Sequence, residues 1–335
     1  MTKYKNYIDE ISKTQVASMY RAYEITSELL SRGGLDDDEI STQSKYEMSV
    51  KLLDLVLNSH INGDADDFHN YSLTFVEIEY YDYALKILEA GLKRYNSNAD
   101  LLADYLKYAP SSSIDDWAEK CCLIYDKLMA VPKRAWTWRA YHFSIEYLLQ
   151  LLDNVENDER KIKVDSLSLV KEYKSAFPND ERPYLAEASV RIKFKEEPMA
   201  LKIWQRAVDN EELRCPRCAI SIAERAFVKK DYEKALSYLL RAEKDSVELR
   251  GSFDFAYIYY CRLLSQISKY IVQMQQTDCN SPKTNEQAAL VEDIYSNYRL
   301  LKKLWKNNKN KMNDVERYVD LIKLRSKIND EIDDE

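Results

Sequence analysis

Glycine and proline are scarce in this chain: five and seven respectively in 335 residues. A strand-and-turn protein of this length needs many more such punctuators, so extended β architecture is excluded first. Histidine is scarcer still, and His60, His69 and His142 show neither HxxH nor HExxH spacing, which removes the usual zinc-hydrolase pattern. Gly33-Gly34 lacks the strand–loop–helix context and the lysine of a phosphate loop, and no GxSxG elbow is present. No apolar run approaches the ~20 residues of a membrane span, and the first residues are polar rather than signal-like. The six cysteines form no dense disulfide framework, which suits a reducing cytoplasm. A formal charge of −8 argues against nucleic acid as the partner, because binding it requires a positive field.

What is abundant is helix-forming material. Charged residues make up 32% of the chain and tyrosines number 26, a combination that fits long amphipathic helices with solvated charged faces. Helices are expected over 3–31, ended by Arg32-Gly33-Gly34, and over 39–60, with Asp36-Asp37-Asp38 between them. A long helix from Phe253 to Met274 and closing helices near 286–306 and 313–331 complete the chain, with a loop at 277–284 and an acidic tail.

Ala200, Trp204 and Ala207 return 35 residues later as Ala235, Leu239 and Ala242, and an earlier copy reads Ala84, Leu88 and Gly91. A small–large–small set at helical spacing marks a tight helix crossing, and a period in this range marks stacked helix pairs. The spacing from Phe68 to Ala84 equals that from Tyr184 to Ala200. Lys230-Asp231-Tyr232-Glu233-Lys234-Ala235-Leu236 and Tyr81-Asp82-Tyr83-Ala84-Leu85 are two versions of one turn and second-helix start. These positions resemble the tetratricopeptide repeat (TPR) family, with clear repeats at 65–98, 181–215 and 216–250 and degenerate ones between. The terminal proline of the family's repeat is replaced by Asn96 and Glu212 in two of them.

The resemblance implies an all-α, right-handed α-solenoid of stacked antiparallel helix pairs. It would comprise an N-terminal helical region (1–64), an array (65–276) and capping helices (285–335). In the family, the first helix of each pair lines the inner groove. That register implies Arg182, Leu185, Ser189, Ile192 and Lys193 in one repeat, and Arg217, Ile220, Glu224, Phe227 and Val228 in the next. Continued by one step, it implies Ser252, Phe255, Tyr259 and Arg262. The family's chaperone-tail clamp is not expected, because the corresponding positions include His69, Leu73, Ala186 and Ser221, which do not hold a carboxylate.

Cys215-Pro216-Arg217-Cys218 reads first as a structural turn with proline opening a helix. Half a zinc site and a redox pair are the alternatives, and the first needs two further ligands. Trp136, Trp138 and Tyr141, like Tyr257, Tyr259 and Tyr260, belong either to helices buried on several sides or to an aromatic recognition patch. No catalytic nucleophile–base–metal set assembles, and no cofactor is expected. The leading expectation is a non-enzymatic cytoplasmic adaptor that binds a protein or peptide, with no nucleic acid and no membrane. The alternative is a regulator whose superhelix tightens on binding a peptide.

Overall fold

The computed structural model describes residues 2–30, 41–154, 158–249, 253–276, 284–304 and 315–322. Helix dominates, and the only strands among these residues are two three-residue pieces. The chain forms two compact units, Met1–Tyr173 and Lys174–Glu335. Within each, helices pack chiefly on their neighbours in sequence. None of the described helices is long and apolar enough to cross a membrane.

The first unit opens with α1 (Thr2–Thr14), β1 (Val16–Ser18), α2 (Met19–Leu30), α3 (Thr42–Leu57) and β2 (His60–Asn62). The single helix expected over 3–31 is therefore two helices with a strand between them. Gln15 adopts a left-handed backbone (φ 56°), and its N–H ends α1 on the Ile11 carbonyl at 2.7 Å. The Thr14 hydroxyl takes the Val16 N–H at 3.2 Å, a local bond that competes with helix continuation. β1 then pairs in parallel with β2, Val16 opposite His60 and Ser18 opposite Asn62. The buried Tyr7 hydroxyl closes the joint, accepting the Ser18 N–H and donating to the Ser18 carbonyl, both at 2.6 Å. The 39–60 helix is shorter than expected, because Ser41 caps it by accepting the Ser44 N–H. Arg32 to Asp38 lies outside the described residues.

The unit continues through α4 (Ala65–Val76), α5 (Tyr81–Arg94), α6 (Ala99–Tyr108), α7 (Trp117–Ala130) and α8 (Trp138–Asn154) to α9 (Glu159–Ala176), within which the division falls. A reciprocal capping box between Asp64 and Asp67, both bonds 3.0 Å, starts α4. The N-terminal elements are tied to this hairpin. The Thr26 hydroxyl donates to Tyr71 at 3.3 Å, and Tyr95 donates to the Gly63 carbonyl at 2.6 Å. The second unit holds α10 (Arg182–Lys193), α11 (Glu197–Asp209), α12 (Pro216–Val228), α13 (Tyr232–Leu249), α14 (Phe253–Gln276), α15 (Asn285–Leu304) and α16 (315–322). Trp204, Leu239 and the alanines of α10–α13 form one core, while α14, α15 and α16 share a second around Leu263, Ile294, Leu301 and Val319.

Three hairpins, α4–α5, α10–α11 and α12–α13, use one and the same turn. Glu79, Lys195 and Lys230 are left-handed, with φ of 64°, 59° and 62°. Each donates its N–H three residues back at 2.9 Å: Glu79 to Val76, Lys195 to Ile192 and Lys230 to Phe227. The following residue donates five back: Tyr80 to Phe75, Glu196 to Arg191 and Asp231 to Ala226, at 2.7–2.9 Å. This pair of bonds is the Schellman ending of a helix. Five residues after each left-handed position comes Ala84, Ala200 or Ala235, all without solvent contact. Seven residues further on stand Gly91, Ala207 and Ala242, buried alike. A Cβ added at Gly91 would meet Phe68 at 3.0 Å and Leu101 at 3.1 Å, so α5 crosses its neighbours closely there.

Candidate functional site

The residues expected to line a groove fall in different surroundings. In α10, Ser189 and Lys193 are exposed, Leu185 and Ile192 pack partly against the core, and Arg182 pairs with Asp180 at 2.9 Å. In α12, Ile220 is core rather than groove surface, only 6% exposed, because it faces the alanine-lined crossing with its neighbours. The Arg217 side chain is exposed, and its backbone N–H is taken by Glu181 at 2.9 Å. Glu224 and Phe227 stand at the edge of a cleft of 240 Å³ whose lining is almost wholly apolar.

The α14 side of that cleft is made by Tyr257, Tyr260, Cys261 and Leu264. Neither Tyr259 nor Arg262 is among its lining residues, and the side chain of Phe255, like Ser252, lies outside the described residues. Tyr259 is 8% exposed and donates its hydroxyl to Glu243 at 2.6 Å, and Arg262 pairs with the other oxygen of Glu243 at 2.8 Å. The two residues thus bind α14 to α13.

The displacement has a simple cause. α13 runs for 18 residues where α11 runs for 13. The next helix therefore opens at Phe253, 37 residues after Pro216 rather than 35. Adding 37 to Ile220, Glu224 and Phe227 gives Tyr257, Cys261 and Leu264, which face the cleft. The cluster of tyrosines at 257–260 was the available signal, and it divides between the two readings open to it. Tyr259 is core, and Tyr257 and Tyr260 line the cleft. The tryptophan pair divides similarly: Trp136 and Tyr141 are buried, while Trp138 is half-buried.

Inside the cleft the Tyr257 hydroxyl donates to Glu224 at 2.7 Å. That bond to a carboxylate, with burial behind it, pushes the Tyr257 hydroxyl well above its ordinary range, so it stays a donor. Phe227 meets Tyr232 edge-on at 5.7 Å, and beside it Val228 is 73% exposed. The result is an aromatic-walled slot with one acidic group, suited to an apolar side chain flanked by a donor.

Cys215 and Cys218 meet a third potential ligand that sequence spacing does not reveal. One carboxylate oxygen of Glu181 and the two sulfurs lie within 4.8 Å of one another, all three residues buried, and among the described residues the group stops at three. A closed tetrahedral site needs a fourth ligand. Glu181 also has a structural task, since its Oε2 accepts the N–H groups of Arg217 and Cys218 at the start of α12. The hydrogen bond that the Cys218 thiol donates to Cys215, together with burial, pushes that thiol up, which holds it protonated. The cysteines at 121, 122, 215, 218 and 261 are free thiols.

No protein-family model matches this chain, and no curated protein matches it in sequence.

Proposed function

We propose that the chain is a non-enzymatic adaptor that binds a protein or peptide segment on the first-helix faces of TPR-like repeats. Its helix pairs would be built in the right-handed α-solenoid manner, and the protein would act in the cytoplasm. The repeated Schellman turn and the buried small residues that follow it at fixed spacing support the repeat reading. The observation that carries the binding reading is the cleft between α12 and α14, where Phe227, Tyr257, Tyr260 and Leu264 leave an unfilled slot of 240 Å³. Aromatic walls with an acidic rim favour a segment that presents a leucine, methionine or aromatic anchor beside a donor.

The test uses full-length chain as bait. A protein captured by it and identified by mass spectrometry is purified and titrated against wild type, Phe227→Ala and Leu264→Ala, with folding checked by circular dichroism. Both variants should weaken binding by about tenfold or more, as truncation of a hot-spot side chain does. Binding equal to wild type in both variants, with loss in Tyr238→Ala on α13, would place the partner elsewhere and sink the reading.

A further inference from the structure

The first unit carries a recess of 420 Å³ on the faces of α4, α6 and α8. His69, Asp104 and Arg139 meet at its polar end, and they are separated by 35 and 35 residues. They come from α4, α6 and α8 respectively. Arginine has no acceptor, so the Arg139 contact to His69 Nε2 is a donation, and the ring proton lies on Nδ1. From there it is donated to Asp104 Oδ2 at 2.6 Å. The Arg139 charge is directed to Asp100, at 2.9 Å, with Asp104 Oδ2 farther off at 4.0 Å. The Thr137 hydroxyl also donates to Asp100.

Two carboxylates therefore face one guanidinium, and Asp104 is the one farther from it. That residue has no solvent exposure, and its Oδ1 has no hydrogen-bond partner. Burying an ionised carboxylate with an idle oxygen is unfavourable unless a donor reaches it. The rest of the recess is aromatic: Tyr108, Trp138 and Phe143. Ring faces attract cations, and the Lys107 ammonium already lies 5.4 Å from the Phe143 centroid. Burial, and after it the charge of Asp104, pushes the Tyr108 hydroxyl up to about 12, against the opposing charge of Arg139.

We propose that this recess binds a primary ammonium group, with Asp104 Oδ1 as its acceptor and the rings of Trp138 and Phe143 as its walls. A compact ammonium suits one unpartnered oxygen, whereas a guanidinium fork seeks both oxygens of a carboxylate and here finds one already held by His69. The recess belongs to the first unit and the cleft to the second, and the one stands whether or not the other holds a partner.

The experiment follows tryptophan indole N–H signals of the full chain by NMR, with Trp138 assigned by Trp138→Phe. Two cations supply the two possible sources, Nα-acetyl-lysine methylamide for a side chain and glycinamide for a chain terminus. The neutral control is the lysine compound acetylated at Nε. Saturable shifts at Trp138 are expected with one or both cations and not with the neutral compound, and the tighter cation names the source. Asp104→Asn should weaken the response by about tenfold, since a charge-assisted bond becomes a neutral one. Phe143→Leu should weaken it less. No saturable shift into the tens of millimolar, or a neutral compound that binds as well as the cations, would overturn the proposal. The comparison of cation with neutral compound in wild type decides the matter even if Asp104→Asn does not fold.

Discussion

Glu181 accepts the backbone N–H of Arg217 at 2.9 Å, so the carboxylate of one helix pair caps the first helix of the next. The N-cap of α12, Cys215, makes no side-chain cap bond of its own. Glu181 instead supplies negative charge where the helix dipole is positive. Glu181→Ala should lower stability by about 0.5–2 kcal/mol, the range for losing a cap. Thermal melting followed by circular dichroism measures this, and an unchanged midpoint would mean water replaces the carboxylate without loss.

Glu79, Lys195 and Lys230 hold a backbone conformation that disfavours any residue with a Cβ. Glycine at each position should raise stability by about 0.5–1 kcal/mol, the steric relief being partly offset by unfolded-chain entropy. Ser189→Gly, inside α10, should act in the opposite direction. A loss of stability in all three turn variants would show that the left-handed turns are misplaced.

At the helix crossings, Ala200→Leu and Ala235→Leu should each destabilise by about 1–3 kcal/mol, because there is no space for the added volume. Gly91→Val should do the same, since even one added carbon meets Phe68 and Leu101. Wild-type melting for all three would mean that helix packing differs from the structure.

Acid should loosen the first unit through Glu146. Burial raises this carboxyl, but hydrogen bonds from His142 and from Lys107, the latter at 2.6 Å, outweigh it together and hold the group at about 2. Its ordinary value is 4.5, so the folded state binds fewer protons than the unfolded one. The stabilising contribution is then complete above about pH 4.5 and disappears as pH falls toward 2. Melting temperature against pH should decline across that window, less steeply in Glu146→Gln. Parallel acid limbs in the two proteins would show that other groups dominate.

Much of the helical order is legible in the sequence because buried small residues repeat where helices cross. The groove is less so. The 35-residue step holds from Ala200 to Ala235, yet first helices open 34 residues apart from Ala65 to Ala99, 39 from Ala99 to Trp138, and 37 from Pro216 to Phe253 once α13 lengthens. Nothing in α13's composition announces the extra length, so Tyr259 and Arg262 rather than Tyr257 and Leu264 fall on the expected face. In α7 the small–large–small positions 35 residues after Ala84, Leu88 and Gly91 are Glu119, Leu123 and Asp126, with Leu123 60% exposed. The pair that contains α7 is therefore visible through its neighbouring first helices and not through its own signature. The β1–β2 pairing leaves even less trace, resting on three residues each and on the chance meeting of Tyr7 with Ser18.

That short parallel pairing also decides where the protein can be cut. Gly63 sits so close to Met19 that an added Cβ would lie 2.8 Å from the Met19 Cβ, and Arg94 at the end of α5 donates to the Ile61 carbonyl. A shortened version beginning at Ala65, where the repeats first become recognisable, would strip α4 of its Asp64 cap, free Tyr95 from Gly63 and uncover the Tyr71 that Thr26 meets. The smallest portable piece of the first unit therefore begins at α1, and whoever transplants the array must carry its apparent preamble along.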